Sequence, residues 1–376
     1  MKPIYLDYNA TTPHDPEVVA AMRPYLETHF GNPSSAHEYG HQTRAAVVVA
    51  REQVASLLGC QPEEVVFTSG GTEANNHALK GLALARRSRG NHLITTQIEH
   101  PAITEVCAFL QEQGFTVSYV PVDETGLVNV ADIEKAITPQ TILISVMHAN
   151  NEVGTIQPIA QIAKLAQACG VVLHTDAAQS AGKIPVEVDR LGVDLLSLAG
   201  HKLYAPKGVG ALYVRQGLQL GKFMHGAGHE RGSRAGTENV LGIVGLGKAC
   251  EIAHRDLKKN TAHLKAMRDR LYAGLQEKAG EVRVNGHPEH CLPNTLSLSF
   301  RGVGVSALLS RLATQVAASA GAACHAEGVE LSHVLKAMQV PLEWARGTVR
   351  FSTGRMTTAG EIDEAVETIA ACLHGQ

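Results

Sequence analysis

Short apolar runs alternate with helical patterns from about residue 60 to residue 215, and this alternation limits the fold more than any other feature of the sequence. Residues 142–146 are apolar without strict alternation, which is typical of a strand that helices cover on both faces. Pro101 and Pro158 stand where helices begin between such runs. The pattern predicts an α/β domain with a mostly parallel seven-stranded sheet. The predicted strands are 64–68, 92–96, 116–120, 141–146, 171–175, 193–198 and 210–214.

The pattern changes after Thr237. Residues 238–278 indicate one or two long helices, apolar at first and charged later. Strand and helix patterns then mix in what we predict to be a smaller α+β domain, at 295–300, 306–312, 349–352 and 359–373. We predict a large domain over 15–260 and a small domain formed by 1–14 and 261–376.

The composition excludes several classes of protein. Apolar residues make up 44% of the chain and charged residues 18%, which is below the roughly 25% charged residues of an average soluble protein. A net charge of −3 offers no basic surface for nucleic acid, so we expect no such partner. There is no apolar run of about 18 residues, and Asp7 precedes any apolar region of signal-peptide length. We therefore expect a cytoplasmic protein without a membrane span.

The seven cysteines are dispersed and lack Cys-x-x-Cys spacing, so we expect reduced thiols and neither a disulfide framework nor a metal site. Five of them lie on helix or strand patterns, where cysteine is usually a small buried group. Cys291 precedes a Leu-Pro-Asn turn and has no reactive neighbour in sequence. Cys324 follows the small residues 317–323 and precedes a polar stretch, which predicts a mobile loop carrying a thiol.

Two candidate catalytic residues stand at the ends of predicted strands. Lys202 follows the strand 193–198, and Asp176 follows the strand 171–175. Ligand sites of α/β proteins form at the carboxyl ends of parallel strands. An isolated lysine there is usually an ordinary loop residue, but a lysine beside an aspartate suits pyridoxal phosphate. Lysine forms the Schiff base and aspartate pairs with the pyridinium nitrogen.

A phosphate cradle is predicted at Ser-Gly-Gly-Thr-Glu, residues 69–73. Gly71 lets the backbone approach an anion, and Thr72 is predicted to cap a helix over 73–87, whose N-terminus favours negative charge. His100 follows the strand 92–96 and precedes a helix, a position suited to stacking on the pyridine ring and to proton transfer. None of these signals is specific alone, since turns use the same residues.

In this order, the motifs resemble those of the cysteine desulfurases of the nitrogenase and iron–sulfur-cluster assembly group, within the class-V aminotransferase family. The resemblance covers essentially the whole chain. The matching blocks are 5–13, 31–35, 69–73, 149–154, 200–202 and 228–237. It implies a fold-type-I pyridoxal-phosphate-dependent transferase that forms a homodimer and converts L-cysteine to L-alanine.

The resemblance also implies roles for individual residues. Lys202 would form the Schiff base, Asp176 would pair with the pyridine nitrogen, and Gln179 and Asn151 would contact the ring substituents. His100 would stack on the ring. The phosphate would be bound by Thr72, Gly71 and His201, and by Thr237 of the opposite subunit. Arg350 and Asn32 would hold the substrate carboxylate, for which guanidinium offers two parallel N–H groups.

Cys324 stands where the family has its persulfide-forming cysteine. The implied reaction begins when Lys202 or His100 removes the α-proton. The Cys324 thiolate then attacks the substrate sulfur, which passes to an acceptor protein such as an iron–sulfur scaffold or a sulfur carrier. The sequence leaves the identity of that acceptor open.

Two departures from the family pattern favour an alternative. Ala199 replaces the serine phosphate ligand of many relatives, and His325 follows Cys324 where small hydroxyl residues are usual. Both features resemble selenocysteine lyases of the same family, which would take L-selenocysteine as substrate. More distant alternatives are an aminotransferase, which needs no cysteine, and a non-catalytic scaffold for sulfur-carrier proteins. A nucleotide-binding dehydrogenase is disfavoured because Gly70-Gly71 lacks the Gly-x-Gly-x-x-Gly pattern.

Overall fold

The computed structural model describes residues 2–325 and 328–374. Its strands are β1 Ile4–Tyr5, β2 Val65–Thr68, β3 His92–Thr96, β4 Thr116–Val120, β5 Thr141–Ser145, β6 Val172–Asp176, β7 Leu195–Ala199, β8 Gly210–Val214, β9 Val282–Asn285, β10 Thr295–Phe300, β11 Val316–Ala317, β12 Ser319–Ala320, β13 Ala322–His325, β14 Gly328–Leu331 and β15 Thr348–Ser352. Its α-helices are α1 Pro16–Glu27, α2 Glu38–Leu58, α3 Gly71–Ala85, α4 Pro101–Glu112, α5 Val130–Ala136, α6 Ile159–Cys169, α7 Val188–Leu191, α8 Val240–Lys278, α9 Val305–Leu312, α10 His333–Ala337, α11 Leu342–Ala345 and α12 Ala359–His374.

The central sheet has seven strands in the order β2-β8-β7-β6-β5-β3-β4. Pairing is parallel from β7 to β4, and β8 runs antiparallel to both of its neighbours. Strands β5, β6 and β7 are buried along their whole length, because helices pack on both faces of the sheet. The predicted α/β class and the mostly parallel sheet are confirmed.

Most helix boundaries follow the predicted signals, with one correction at the start of α3. Pro101 is the first residue of α4, and α6 begins directly after Pro158. Thr72, however, is not the cap of α3. The helix already begins at Gly71 with Gly70 as its N-cap, and among the described residues no side chain caps its first N–H groups. Its first N–H groups are therefore left to a ligand or to solvent.

A second, four-stranded sheet follows in the order β12-β15-β10-β9. Its apolar face packs against α8, α9 and α12, and a separate hydrophobic core results. The chain start contributes here, because β1 pairs in parallel with β11 and Asp7 forms a parallel bridge with Ser352. Residues 5–10 then continue toward the carboxyl ends of the central strands.

Helix α8 is a single helix of 39 residues that contacts α1 and α2 with its first half and α12 with its second. It passes through residue 260 without a break, so the boundaries 15–260, 1–14 and 261–376 stay predictions. Across the described ranges, none of the helices combines the length and apolarity that crossing a membrane requires.

Candidate active site

One cavity of about 320 Å³ lies at the carboxyl ends of β6 and β7 and extends to β15. Nine of the predicted site residues line it: Gly71, Thr72, His100, Asn151, Asp176, Gln179, His201, Lys202 and Arg350. They come from segments far apart in sequence. The strand-end argument therefore predicted residues that the structure brings together around one cavity. Asn9, Ala10 and Asn75 also line the cavity, although the sequence analysis gave them no role.

Lys202 occupies the end of a 3₁₀ turn, Gly200–Lys202, directly after β7. Its Nζ donates hydrogen bonds to the carbonyl oxygens of Asn9, at 2.5 Å, and Ala10, at 2.7 Å. Burial and the nearby Arg350 guanidinium lower the pKa of Lys202 to about 8, against the opposing effects of Asp7 and Asp176. About a tenth of the amine is thus unprotonated at pH 7, far more than for an ordinary lysine, and nucleophilic addition to an aldehyde requires this neutral form.

Asp176 is the last residue of β6 and is 7% exposed. Asn75 Nδ2 donates to Oδ2 of Asp176 at 2.7 Å, and the Ala178 N–H donates to Oδ1 at 2.9 Å. Each carboxylate oxygen keeps a further acceptor position. The group is held in one orientation and can accept an N–H from a ring nitrogen in the cavity. Asn75 reaches the site from α3, where no strand-end signal marks it.

The opposite end of the cavity is suited to an anion. The uncapped N-terminus of α3 presents backbone N–H groups and the positive end of the helix dipole at Gly71 and Thr72. Gly71 and Ala199 are in close contact, because a Cβ on Gly71 would lie 3.1 Å from the Ala199 Cβ. Arg234 pairs with Glu73 at 2.8 Å, which ties the 228–237 segment to this end.

His201 lies beside this anion site with its Nδ1 3.2 Å from Thr11 Oγ1. Burial together with the charges of Lys202 and Lys207 lowers the pKa of His201 to about 4. The ring is therefore neutral at pH 7. It can donate an N–H to a phosphate, but it does not add a positive charge.

His100 is the N-cap of α4, and its Nδ1 accepts the Ala102 N–H at 3.0 Å. Desolvation lowers the pKa of His100, the charges of Lys202 and His333 act in the same direction, and Asp176 acts against them. A neutral imidazole that accepts at Nδ1 carries its proton at Nε2. His100 can thus donate a hydrogen bond into the cavity but has no free lone pair with which to take up a proton.

Arg350 projects from β15 and is anchored on three sides. Its Nη2 donates to Asp7 Oδ1 at 2.8 Å and to Ser319 Oγ at 3.0 Å, and its Nη1 donates to the Asn151 carbonyl at 3.1 Å. Its Nε is buried without a hydrogen-bond partner among the described residues. Asp7, Ser319 and the Asn151 carbonyl therefore fix the plane of the guanidinium where Arg350 lines the cavity.

Two predicted site residues do not line the cavity. Asn32 is exposed, and its Oδ1 accepts the Ser34 N–H in the loop before α2. Thr237 is exposed in the segment before α8. Their roles toward substrate and toward the opposite subunit stay predictions.

Cys324 lies on β13, opposite Val329 of β14, in a two-stranded antiparallel hairpin. The sequence predicts a loop here, since alanine and glycine carry little strand preference. Residues 326 and 327 lie outside the described residues. At the base of the hairpin the Ser332 N–H donates to the Gly321 carbonyl, and Ser332 Oγ donates to Glu152 Oε2 at 2.5 Å.

Two of the other cysteines, Cys169 and Cys291, differ from their predicted environments. Cys107 and Cys250 are buried and Cys60 is partly buried, and desolvation raises the thiol pKa of all three to about 12. Cys169 was expected to be buried but is exposed at the end of α6. Cys291 was expected to lack a reactive neighbour, yet Arg268 Nη1 lies 3.0 Å from its Sγ.

These donors fit pyridoxal phosphate. The cavity combines a lysine of lowered pKa, a buried carboxylate, an uncapped helix N-terminus and the guanidinium of Arg350. A flat heteroaromatic ring with a phosphate at one end matches this arrangement of charges. Among the described residues no cluster of side chains could hold a metal ion.

Comparison with known proteins agrees with this arrangement. The aminotransferase class-V family model matches residues 4–365. The chain is 47% identical to cysteine desulfurase IscS of Dictyoglomus turgidum, over 97% of this chain and 93% of that protein. It is 44% identical to a cysteine desulfurase of Homo sapiens, over 98% of this chain and 81% of that one.

Comparison with solved structures agrees with this family assignment. A NifS-like protein superposes with a TM-score of 0.94 and 39% identity, covering all of both chains. The structure of SspA in complex with cysteine superposes with a TM-score of 0.82 and 37% identity, covering 95% of this chain and 100% of that one.

Proposed function

Because this chain belongs to the class-V aminotransferase family and is a cysteine desulfurase within it, we propose which of its residues convert L-cysteine to L-alanine and pass on the sulfur. The names of its relatives favour this activity over selenocysteine lyase, and over an aminotransferase or a non-catalytic scaffold. The observation that carries the proposal is the convergence of Lys202, Asp176 and Arg350 on one cavity.

We propose that the cavity holds pyridoxal phosphate, the cofactor on which this family depends. When bound, the cofactor supplies an aldehyde that joins amines and a ring that accepts the electron pair of a broken bond. Asp176 keeps the ring nitrogen protonated, and Gln179, Asn151 and His100 contact the ring. Gly71, Thr72 and His201 hold the phosphate, together with Thr237 of the opposite subunit.

Lys202 is the residue that moves the α-proton in this proposal. The sequence left Lys202 and His100 as alternatives. The hydrogen bond from the Ala102 N–H to His100 Nδ1 favours Lys202, because it occupies the lone pair that a base needs. Nζ of Lys202, with its lowered pKa, can take up and return a proton near neutral pH. His100 donates from Nε2.

Arg350 binds the substrate carboxylate, with Asn32 as its proposed partner. Asp7 holds the guanidinium plane before substrate arrives, so little side-chain entropy is lost on binding. The Asp7 charge lies close to the incoming carboxylate, and it therefore limits how tightly that carboxylate is held.

Cys324 receives the sulfur. Its thiolate attacks the substrate sulfur, an S–S bond forms and the carbon–sulfur bond breaks, with its electron pair returning to carbon. A proton then completes L-alanine, and a persulfide remains on Cys324. We propose that an iron–sulfur scaffold or a sulfur-carrier protein takes the sulfur from there.

The test measures L-alanine and sulfide produced from L-cysteine, with a reductant to release persulfide sulfur. The two products should appear in a 1:1 ratio, and Lys202→Ala should abolish both. Lys207→Ala, which removes a neighbouring exposed lysine, should leave both unchanged. Equal loss in the two variants, or turnover by Lys202→Ala, would contradict the role of Lys202. Much faster turnover of L-selenocysteine than of L-cysteine would favour the lyase.

We also propose a homodimer in the cytoplasm. Leu26 and Phe30 are 68% and 81% exposed, and Tyr39 of α2 stacks on Phe30 with ring centroids 5.3 Å apart. An exposed apolar cluster of this kind supports a subunit interface. A reducing compartment would keep the Cys324 thiol free. Light scattering at several concentrations tests the dimer, and a monomer at micromolar concentration would contradict it.

A further inference from the structure

Lys183 is a buried lysine outside the predicted site, and it is 5% exposed. Its Nζ donates to the carbonyl oxygen of Gln179 at 2.9 Å and to Gln179 Oε1 at 3.2 Å. No carboxylate pairs with it in the part of the chain that the structure describes. Burial, with the charges of Lys202 and Arg350, lowers the pKa of Lys183 to about 7. A buried lysine without a counter-ion lowers the stability of the fold. Its hydrogen bonds to Gln179 therefore suggest a role in the site rather than in folding.

The contact decides which way the Gln179 amide faces. The ammonium form of Lys183 can only donate hydrogen bonds, so in that form the Gln179 atom beside it is the oxygen, Oε1. The amide nitrogen is then on the other side, where it donates to the Asn9 carbonyl at 3.0 Å. An amide nitrogen carries two hydrogens, and the Asn9 carbonyl takes one of them. Gln179 lines the cavity, so the other hydrogen is available there.

The backbone after β6 places Lys183 next to Gln179. After β6 the chain makes a helical turn, in which the Lys183 N–H donates to the Ser180 carbonyl. Gly182 has φ +71°, and a Cβ there would lie 2.6 Å from Leu203 Cδ2, so only glycine fits. Thr261 of α8 donates to the Lys183 carbonyl at 2.7 Å. Lys183 is thereby fixed four residues after Gln179, with its side chain against the amide.

We propose that Lys183 is a positioning residue that orients the Gln179 amide so that it presents an N–H to a ring oxygen of pyridoxal phosphate. The inference rests on the proposed function, which places Gln179 at the ring substituents. Without Lys183 the amide can rotate and offer its oxygen to the same ring oxygen, which would repel it. Lys183 thus acts only through Gln179.

The test is a double-mutant cycle on cofactor affinity. Pyridoxal phosphate is titrated into the cofactor-free, full-length protein and followed by its visible absorbance. Lys183→Met and Gln179→Met should each weaken binding roughly tenfold, because a hydrogen bond to a charged oxygen is lost. The double variant should be no weaker than Gln179→Met. A double variant that loses the product of the two effects, roughly a hundredfold, would show that Lys183 acts independently of Gln179 and would overturn the inference.

Single-variant outcomes separate this inference from the proposed function. Unchanged affinity in Lys183→Met, with weaker binding in Gln179→Met, overturns the inference and leaves the proposed function intact. Unchanged affinity in Gln179→Met removes the proposed role of Gln179, and the inference with it. Lys164→Met, which removes an exposed lysine on α6, is the control and should bind normally.

Lys183→Gln keeps the test decisive should Lys183→Met fail to fold. Glutamine retains an N–H donor at this position but carries no charge. Affinity within about threefold of the unmodified protein is expected, since the amide of Gln179 still finds a donor. A loss as large as that of Gln179→Met in a folded Lys183→Gln protein would contradict the orienting role.

Discussion

The two ends of the reaction are built on very different supports. Asp176 and Lys202 stand at the ends of β6 and β7, central strands of a seven-stranded sheet, and each is held by two hydrogen bonds. Cys324 stands on a hairpin of two short strands that pair only with each other in the described part of the chain. Isolated two-stranded hairpins have little stability of their own.

The difference follows from what each group must do. Proton transfer and electron withdrawal need atoms held within fractions of an ångström, which a buried sheet provides. A sulfur carrier must reach the substrate and later an acceptor protein, which a small element joined to the fold at its base can do. We therefore expect changes at the sheet to affect cofactor binding, and changes at the hairpin to affect sulfur transfer alone.

Cys324→Ser should show the largest difference between an effect on sulfur transfer and an effect on cofactor binding. Sulfide release from L-cysteine is expected to fall on the order of a thousandfold, because the substitution removes the proposed nucleophile. The visible absorbance of the bound cofactor should not change. Cys169→Ser, an exposed cysteine on α6, is the matched control and should keep full activity. Loss of cofactor from Cys324→Ser would contradict the assignment of cofactor binding to the sheet and sulfur transfer to the hairpin.

Asp176→Asn should show the opposite pattern. The amide cannot stabilise a charged ring nitrogen, so L-alanine formation should fall roughly tenfold to a hundredfold. Cofactor retention during gel filtration should fall as well. Mass spectrometry of the Cys324 peptide should show a persulfide that forms slowly yet remains stable once formed. Normal L-alanine formation in this variant would exclude the proposed role of Asp176.

The pH dependence of the reaction between Lys202 and pyridoxal phosphate tests the sheet region alone, because Cys324 takes no part in it. The unprotonated amine reacts, and burial lowers its pKa to about 8. Formation of the visible band from cofactor-free protein and pyridoxal phosphate should therefore accelerate about tenfold from pH 7 to a plateau above pH 8. An ordinary lysine would still accelerate at pH 10. A rate that rises throughout this range would contradict the lowered pKa.

Ser332→Ala should have the smallest effect and should be confined to the hairpin. The substitution removes the hydrogen bond from Ser332 Oγ to Glu152 at the base of the hairpin. Sulfide release should fall about fivefold with unchanged cofactor absorbance. Glu152→Gln keeps an acceptor for the Ser332 hydroxyl and should lose less. Equal loss of cofactor and of sulfide release in Ser332→Ala would show that the two regions are not separable.

The same contrast explains what the sequence could predict. Strands β3, β4 and β8 were predicted to the residue, because short runs rich in apolar, aromatic or β-branched residues mark strands. The pattern held both for the buried β3 and for β4 at the edge of the sheet, where only Val120 is buried. Lys202, Asp176 and His100 were found because strand ends converge at one sheet edge. The hairpin was missed because its two strands, Ala-Ala-Cys-His and Gly-Val-Glu-Leu, have only four residues each and show no clear strand pattern. Their pairing also depends on where residues 321 and 332 meet.

The residues that sequence analysis missed approach the site from elements without a strand-end signal. Asn75 projects from α3, and Asn9 and Ala10 offer only backbone carbonyls, which any residue has. Asp7 was visible in the 5–13 motif, but its pairing with Arg350 spans 343 positions. The contact of Arg268 with Cys291 likewise depends on tertiary packing.

The path of the first residues has a consequence for how the enzyme is made. Asp7 and Asn9 bind partners at positions 350 and 352, which are each synthesised 343 residues later. At about 5–20 residues per second, their partners emerge on the order of 20–70 s later. The central sheet can condense during this interval, but the amine at 202 lacks the Arg350 charge that lowers its basicity. We therefore expect a nascent chain to complete the proposed site only after residues 350 and 352 have been synthesised and have paired with Asp7 and Asn9.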